Sequence, residues 1–432
     1  MPELFAGQRV TLMGLGRFGG GGGAARWLAG QGASLLITDL CSEDQLADSL
    51  ADLSDLISNK DTQLRLGGHV ESDFTDCDLV VANPAVPRPW ENPYLLAARE
   101  AGIHITTEIR LLAERINRDR LIGVTGTAGK STTAAMIHHI LNRAGLPAHL
   151  GGNIGGSLLP RVSEIEHDDW IVLELSSAML HWLGDGVGFS AASGWSPHVA
   201  VLTNLQPNHL DWHGTFEHYE RSKHNIFRYQ RPGDHQITTD PPPTGRPLPL
   251  RIPGQHNQVN GRFAVDVVSR AVGLCPIEAG ELLADFPGLP HRLQLVAERG
   301  GMQFFNDSKS TTPQATVLAV RSFDEPQRVH LIAGGYDKGI DLRAISELTS
   351  EIAGLYTIGA TGPQLAATAA DGSKAFQCET LDAAIERAMH RMGDRDILLL
   401  SPGCASWDQF DNYERRGEAY AASISSSICA AK

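Results

Sequence analysis

No two of the six cysteines, Cys41, Cys77, Cys275, Cys378, Cys404 and Cys429, form a CxxC pair, and their wide spacing argues against a zinc site or a disulfide framework. A reducing compartment, the cytoplasm, is the expected setting. No segment approaches the roughly 18 uninterrupted apolar residues of a membrane-spanning helix. The opening MPELFAGQRV lacks a basic stretch followed by an apolar one, so neither a span nor an export signal is expected. Positive charge is also short: 36 Lys and Arg stand against 50 Asp and Glu, a formal net charge of -14. That balance repels nucleic acid and anionic lipid, so a polyanionic substrate must be gripped by local devices such as glycine loops, helix N-termini and metal ions.

What is there suits a soluble globular chain: 42% hydrophobic and 20% charged residues over 432 positions. At about 150 residues per domain, one core is too few, and three domains are expected. Short apolar runs ending in glycine or a polar residue recur at 9–12, 35–38, 79–82, 121–125, 171–175, 199–203, 330–333, 355–358 and 397–400. Helix-like stretches such as 131–143 and 216–227 lie between many of them, the alternation that gives parallel sheets covered by helices. The fold class is therefore α/β throughout. Breaks near 113–120 and 286–292 read as linkers, the proline-rich stretch 231–253 reads as a surface loop, and no internal repeat is evident.

The strongest local signal is Leu121-Ile-Gly-Val-Thr-Gly126-Thr127-Ala-Gly129-Lys130-Ser131-Thr132-Thr133, a strand passing through a glycine turn into a helix. Glycines let backbone N–H groups converge on phosphate oxygens, and the helix N-terminus adds partial positive charge. Lys130 reaches the terminal phosphates, and a hydroxyl of Ser131 or Thr132 can ligate magnesium. The strict GxxxxGK[ST] pattern fails at Val124, so the match is to the shorter G-T-x-G-K-S form. This loop resembles that of the Mur ligases and of the related folylpolyglutamate synthetases.

Glu174 in Val172-Leu-Glu-Leu-Ser-Ser177 ends a buried apolar run, where a carboxylate needs a partner such as magnesium or a helix N-terminus. Further on come Thr203-Asn-Leu-Gln-Pro-Asn-His209-Leu-Asp-Trp-His213-Gly214 and Tyr219-Glu-Arg-Ser-Lys223. By themselves these histidines suit hydrogen-bonded loop positions better than metal ligation. Both segments resemble Mur ligase signatures, which imply Glu174 and His209 as metal ligands with Ser131, and Lys223 as a carbamate. A cationic lysine would be repelled by magnesium, whereas its carbamate is an anion able to ligate or orient. The chain departs from the family pattern at Met179 and at Pro207-Asn208.

Near the start, Gly14-Leu15-Gly16-Arg-Phe-Gly19 follows an apolar run, and Asp39 ends the next. This formally matches a dinucleotide fingerprint and keeps an NAD-dependent oxidoreductase as a rival reading. The family resemblance instead implies a UDP diphosphate at Gly14 and Leu15, the uracil near Asp39, and substrate at Asn153 in Gly152-Asn-Ile-Gly155. Pro253-Gly-Gln-His256-Asn257-Gln-Val-Asn260 reads alone as a capped helix start and by resemblance as an ATP contact.

Three polar motifs close the chain: Asn306-Asp307-Ser-Lys309-Ser-Thr311, Ala333-Gly-Gly-Tyr-Asp-Lys338, and Ser401-Pro-Gly-Cys-Ala-Ser406-Trp-Asp-Gln-Phe410-Asp-Asn-Tyr413-Glu-Arg-Arg-Gly417. The last resembles the glutamate-adding branch of the Mur ligases. The resemblance spans nearly the whole chain and implies three domains. A Rossmann-like N-terminal domain (1–114) would bind UDP-N-acetylmuramoyl-L-alanine, a central P-loop domain (115–290) ATP and magnesium, and a Rossmann-like C-terminal domain (291–432) the amino acid. ATP would be held by Gly126, Thr127, Gly129, Lys130, Ser131, Thr132, His256, Asn257, Asn260, Arg292 and Asp307. Lys309, Thr311, Lys338, Ser406 and Tyr413 would face glutamate or lie beside it, and Lys130, Glu174, His209, Lys223 and Arg292 would carry the chemistry. The implied activity is ATP-dependent amide ligation through an acyl phosphate, by a monomer, with D-glutamate as acceptor. A ligase for L-glutamate or another acidic amino acid, and a non-catalytic nucleotide-binding regulator, are the alternatives.

Overall fold

The computed structural model describes residues 4–16, 19–186, 193–239 and 245–430. The chain forms two compact units, Met1–Arg246 with Asn260–Leu282, and Pro247–Val259 with Leu283–Lys432.

The first unit contains two five-stranded sheets. One is built from β1 (Arg9–Met13), β2 (Ser34–Asp39), β3 (Thr62–Leu66), β4 (Leu79–Ala82) and β5 (His104–Thr106), in the order β3-β2-β1-β4-β5. Every pairing in it is parallel. The order reverses between β1 and β4, so a crevice opens at their C-terminal ends, where Gly14 follows β1 and Asn83 follows β4.

The other sheet comprises β6 (Leu121–Thr125), β7 (Ala148–Gly152), β8 (Trp170–Glu174), β9 (Val199–Leu202) and β10 (His235–Ile237), ordered β10-β9-β6-β8-β7 and again all parallel. β6 lies between β8 and β9, so the glycine turn, Glu174 and Thr203 emerge side by side. β6, β8 and β9 are buried along their whole length, which is why they read as unbroken apolar runs. One apolar cluster extends from Val10 and Leu12 of β1 to Ile171 and Leu173 of β8, joining the two sheets through a shared core.

The second unit holds six strands: β11 (Gln294–Arg299), β12 (Met302–Asn306), β13 (Val329–Gly334), β14 (Gly354–Ile358), β15 (Ala375–Glu379) and β16 (Ile397–Leu400). Their order is β11-β12-β16-β13-β14-β15, with β11 antiparallel to β12 and the rest parallel. Separate apolar clusters cover the two faces, one around Leu331 and Leu399, the other around Ile332 and Leu398, as alternation along each strand requires. The three polar motifs of the C-terminal third leave β12, β13 and β16, which are adjacent. Among the described residues no helix is long and apolar enough to cross a membrane.

Candidate active site

The glycine turn after β6 admits no other residue at two positions. Gly126 has φ 149° and Gly129 φ 81°. A Cβ on Gly126 would lie 2.0 Å from Thr203 Oγ1, and one on Gly129 2.5 Å from Asn260 Oδ1. Asn204 holds the turn: its Oδ1 accepts from the Ala128 N–H at 2.9 Å, its Nδ2 donates to the Ala128 carbonyl at 2.9 Å, and its own carbonyl accepts from Thr127 N–H at 3.0 Å. Thr127 Oγ1 also pairs with Tyr219 Oη at 2.9 Å. The helix Lys130–Arg143 that follows has no side-chain cap and no acidic residue in its first turn, which leaves its dipole suited to an anion. Lys130 Nζ donates to the Thr127 carbonyl at 3.0 Å, folding the ammonium back over the turn.

Beside the turn, Glu174 is 1% exposed. Its Oε1 accepts from Asn153 Nδ2 at 2.9 Å, and the buried Oε2 has no hydrogen-bond partner among the described residues. Lys223, 2% exposed, projects from the helix Phe216–Arg228 and donates to the Gly126 carbonyl at 2.8 Å and to Thr125 Oγ1 at 3.2 Å. Burial above all, with a smaller push from the charge of Lys130, lowers its pKa to about 7, against the opposing pull of Glu174. His209 is exposed and starts the helix Leu210–His213 with a left-handed φ of 51°. The buried His213 bonds Ser177 Oγ through Nε2 at 2.9 Å and His218 through Nδ1 at 2.8 Å, tying the helix after Glu174 to the segments bearing His209 and Lys223.

At the N-terminal crevice, Gly14 and Leu15 form the turn after β1, and the Leu15 side chain is core, so only its backbone can meet a ligand. Both Asp39 oxygens accept backbone N–H groups, from Gly16 at 3.1 Å and Cys41 at 2.8 Å, so this carboxylate braces the turn. Asn83 Nδ2 donates to the Gly14 carbonyl at 3.1 Å across the crevice. Asn260 accepts from Thr133 Oγ1 at 3.4 Å behind the glycine turn.

In the second unit, Asn257 is buried and donates to the Pro253 carbonyl at 2.6 Å, while His256 and Arg292 are exposed. Asp307 is buried, accepts from Leu293 N–H at 3.2 Å and Ser401 Oγ at 2.7 Å, and burial pushes its pKa up to about 6. Lys309 Nζ lies 5.2 Å from the Tyr413 ring centroid, and Lys338 Nζ 4.7 Å from that of Trp407. Thr311 is half-buried, and Ser406 is buried at the exit of β16.

The sequence reading assigned no role to Asn204, Tyr219 or Arg416. All three lie in quoted motifs, and the strand-exit position of Asn204 is a signal for it. Arg416 gave none, because one arginine in a charged helical turn is indistinguishable from a solvated one.

Residues 124–245 match the Mur ligase middle domain and residues 291–404 the Mur ligase glutamate ligase domain. The UDP-N-acetylmuramoylalanine–D-glutamate ligase of Koribacter versatilis is 32% identical, with 96% of each chain covered. The enzyme of the same name from a Roseiflexus species is 34% identical over 96% of this chain and 98% of its own. Among solved structures, the UDP-N-acetylmuramate-alanine ligase of Thermotoga maritima superposes with a TM-score of 0.56 at 16% identity, covering 97% of this chain and 100% of that one, a likeness of fold.

Proposed function

The chain belongs to the Mur ligase family, and on that premise we propose that it joins D-glutamate to UDP-N-acetylmuramoyl-L-alanine with cleavage of ATP to ADP and phosphate. The observation that carries the chemistry is the convergence of the glycine turn, the half-satisfied carboxylate of Glu174 and the buried Lys223 at the ends of β6 and β8.

A buried carboxylate oxygen without a donor costs on the order of 1–3 kcal/mol or more, and a divalent cation offsets that cost. Among the described residues no three His, Cys, Asp or Glu side chains form a ready-made metal cage. Magnesium takes one or two carboxylates and completes its shell with water and substrate phosphate. Glu174 would hold it with the Ser131 hydroxyl, His209 and the carbamate of Lys223. Bound there, the ion would neutralise charge on the transferring phosphoryl group. Lys223 suits carbamylation because it is buried with a carbonyl and a hydroxyl as its acceptors, and a pKa near 7 supplies the neutral amine that reacts with carbon dioxide.

In the proposed sequence the alanyl carboxylate attacks the γ-phosphorus and ADP departs, leaving an acyl phosphate. The amine of glutamate then attacks the acyl carbon, phosphate leaves, and the amine gives up a proton. Lys130 and the N-terminus of its helix stabilise phosphoryl charge, and the turn held by Asn204 fixes the phosphates. Gly14, Leu15 and Asp39 serve the UDP end, Lys338, Ser406, Thr311 and Tyr413 the amino acid. Incubation with ATP, magnesium and UDP-N-acetylmuramoyl-L-alanine, followed by mass spectrometry, should reveal a nucleotide heavier by one glutamyl residue. Nucleotide binding without that product contradicts the reading.

A further inference from the structure

Among the described residues Arg416 is the largest fully buried side chain, 1% exposed, and it forms no ion pair. Its Nε donates to Ser308 Oγ at 3.0 Å, and its Nη2 donates to the Ser308 carbonyl at 2.9 Å and the Cys404 carbonyl at 3.1 Å. Nη1 is buried with no acceptor among the described residues, and a Cβ on Gly335 would come within 3.2 Å of it. Ser308 Oγ passes the contact on, donating to the Tyr413 carbonyl at 2.8 Å.

These contacts fall at three adjacent strand exits. Ser308 follows β12 and precedes Lys309 and Thr311. Cys404 follows β16 and precedes Ser406. Gly335 follows β13 and precedes Lys338. Arg416 itself stands one turn into the helix that begins at Tyr413. Every residue proposed to face the amino acid therefore lies within three positions of a point that this guanidinium holds or touches. Its direct acceptors are a hydroxyl and two carbonyls, and the more distant Asp408 carboxylate offsets part of its charge, so a buried guanidinium stands behind this surface. Glutamate brings two carboxylates.

We propose that Arg416 is the positioning residue of the amino-acid site, setting the spacing of Thr311, Lys338, Ser406 and Tyr413 and biasing that surface toward a dicarboxylic acceptor. The inference rests on the ligase reading above. A purely structural arginine would lower activity toward all three substrates together, whereas a positioning role falls on one.

The experiment uses full-length wild type and Arg416→Lys, with apparent KM measured separately for glutamate, ATP and UDP-N-acetylmuramoyl-L-alanine, alongside thermal melting. Lysine keeps the charge and loses the planar fork that spans Ser308 and Cys404. The expected result is a folded variant whose KM for glutamate rises at least tenfold while the other two stay within about twofold. An unchanged glutamate KM, or three KM values rising together, overturns the inference and leaves the ligase reading intact. Wild type that turns over no amino acid overturns both. If Arg416→Lys does not fold, Ser308→Ala decides: it removes the Nε acceptor and the tie to Tyr413, and a severalfold rise in glutamate KM alone supports the role, while no rise overturns it.

Discussion

Asn153 donates its Nδ2 hydrogen to Glu174 Oε1 at 2.9 Å, while the other carboxylate oxygen is buried and without a donor among the described residues, the position at which the proposed magnesium would bind. Two substitutions separate the halves of this arrangement. Glu174→Gln is expected to abolish magnesium-dependent turnover while raising the melting temperature in metal-free buffer, because removing an unpaired buried charge relieves on the order of 1–3 kcal/mol. Asn153→Ala is expected to keep activity but to raise the magnesium concentration for half-maximal rate severalfold. A magnesium titration of both variants checks this, and an unchanged magnesium requirement in Asn153→Ala counts against the pairing.

The pKa of Lys223, about 7, gives the carbamate proposal a pH direction. Above pH 7 the amine is mostly neutral and able to capture carbon dioxide; below it the ammonium is not. Protein depleted of carbon dioxide should be weakly active, and bicarbonate should restore it more fully at pH 8 than at pH 6. Lys223→Ala should be inactive and partly rescued by a small carboxylate such as formate. Full activity in rigorously depleted buffer at pH 8 would remove the carbamate from the account.

Asp307 has a folded-state pKa of about 6 against 3.8 for the free side chain, from desolvation first. Between those values the unfolded chain ionises while the folded carboxyl holds its proton, so the folded state binds more protons and loses stability as pH rises. Above pH 6 the penalty is complete, roughly 2–3 kcal/mol at 1.36 kcal/mol per pKa unit. Asp307→Asn should therefore melt higher than wild type at pH 7.5 and not at pH 3.5. Chemical denaturation at both pH values tests the sign.

Nine strands are legible in the sequence and all nine are present, and seven more are present that the sequence does not reveal. Six of the seven, β3, β5, β7, β10, β11 and β15, are sheet edges. An edge strand buries one side at most, so Thr62–Leu66 and Gln294–Arg299 carry exposed or half-buried residues where a central strand has an unbroken apolar run. The seventh, Met302–Asn306, is central but half-buried at its start beside the antiparallel edge, and its apolar run is short and interrupted by Gln303. Candidate site residues stand out in the sequence where backbone conformation or burial restricts the residue type, as at Gly126 and Gly129 for the first and Glu174 for the second. Arg416 acts through a contact 108 residues away in sequence, which no local pattern records, whereas Asn204, whose partner is 76 residues away, is marked only by its place at a strand exit.

The glycine turn offers the sharpest steric test. Gly129→Ala would force a side chain against Asn260 Oδ1 in a left-handed conformation, at a cost of about 1–3 kcal/mol for the backbone alone. ATP affinity, measured by calorimetry, should fall at least tenfold, and wild-type affinity would mean that the turn does not cradle the phosphates.

The central claim is glutamate-dependent ligation, and it is tested most directly by phosphate release from ATP in the presence of magnesium, bicarbonate and UDP-N-acetylmuramoyl-L-alanine. With D-glutamate, L-glutamate or no amino acid supplied in parallel, the account predicts sustained release with D-glutamate and only background in the other two. Equal release without any amino acid, or none with all three in folded protein, would contradict it.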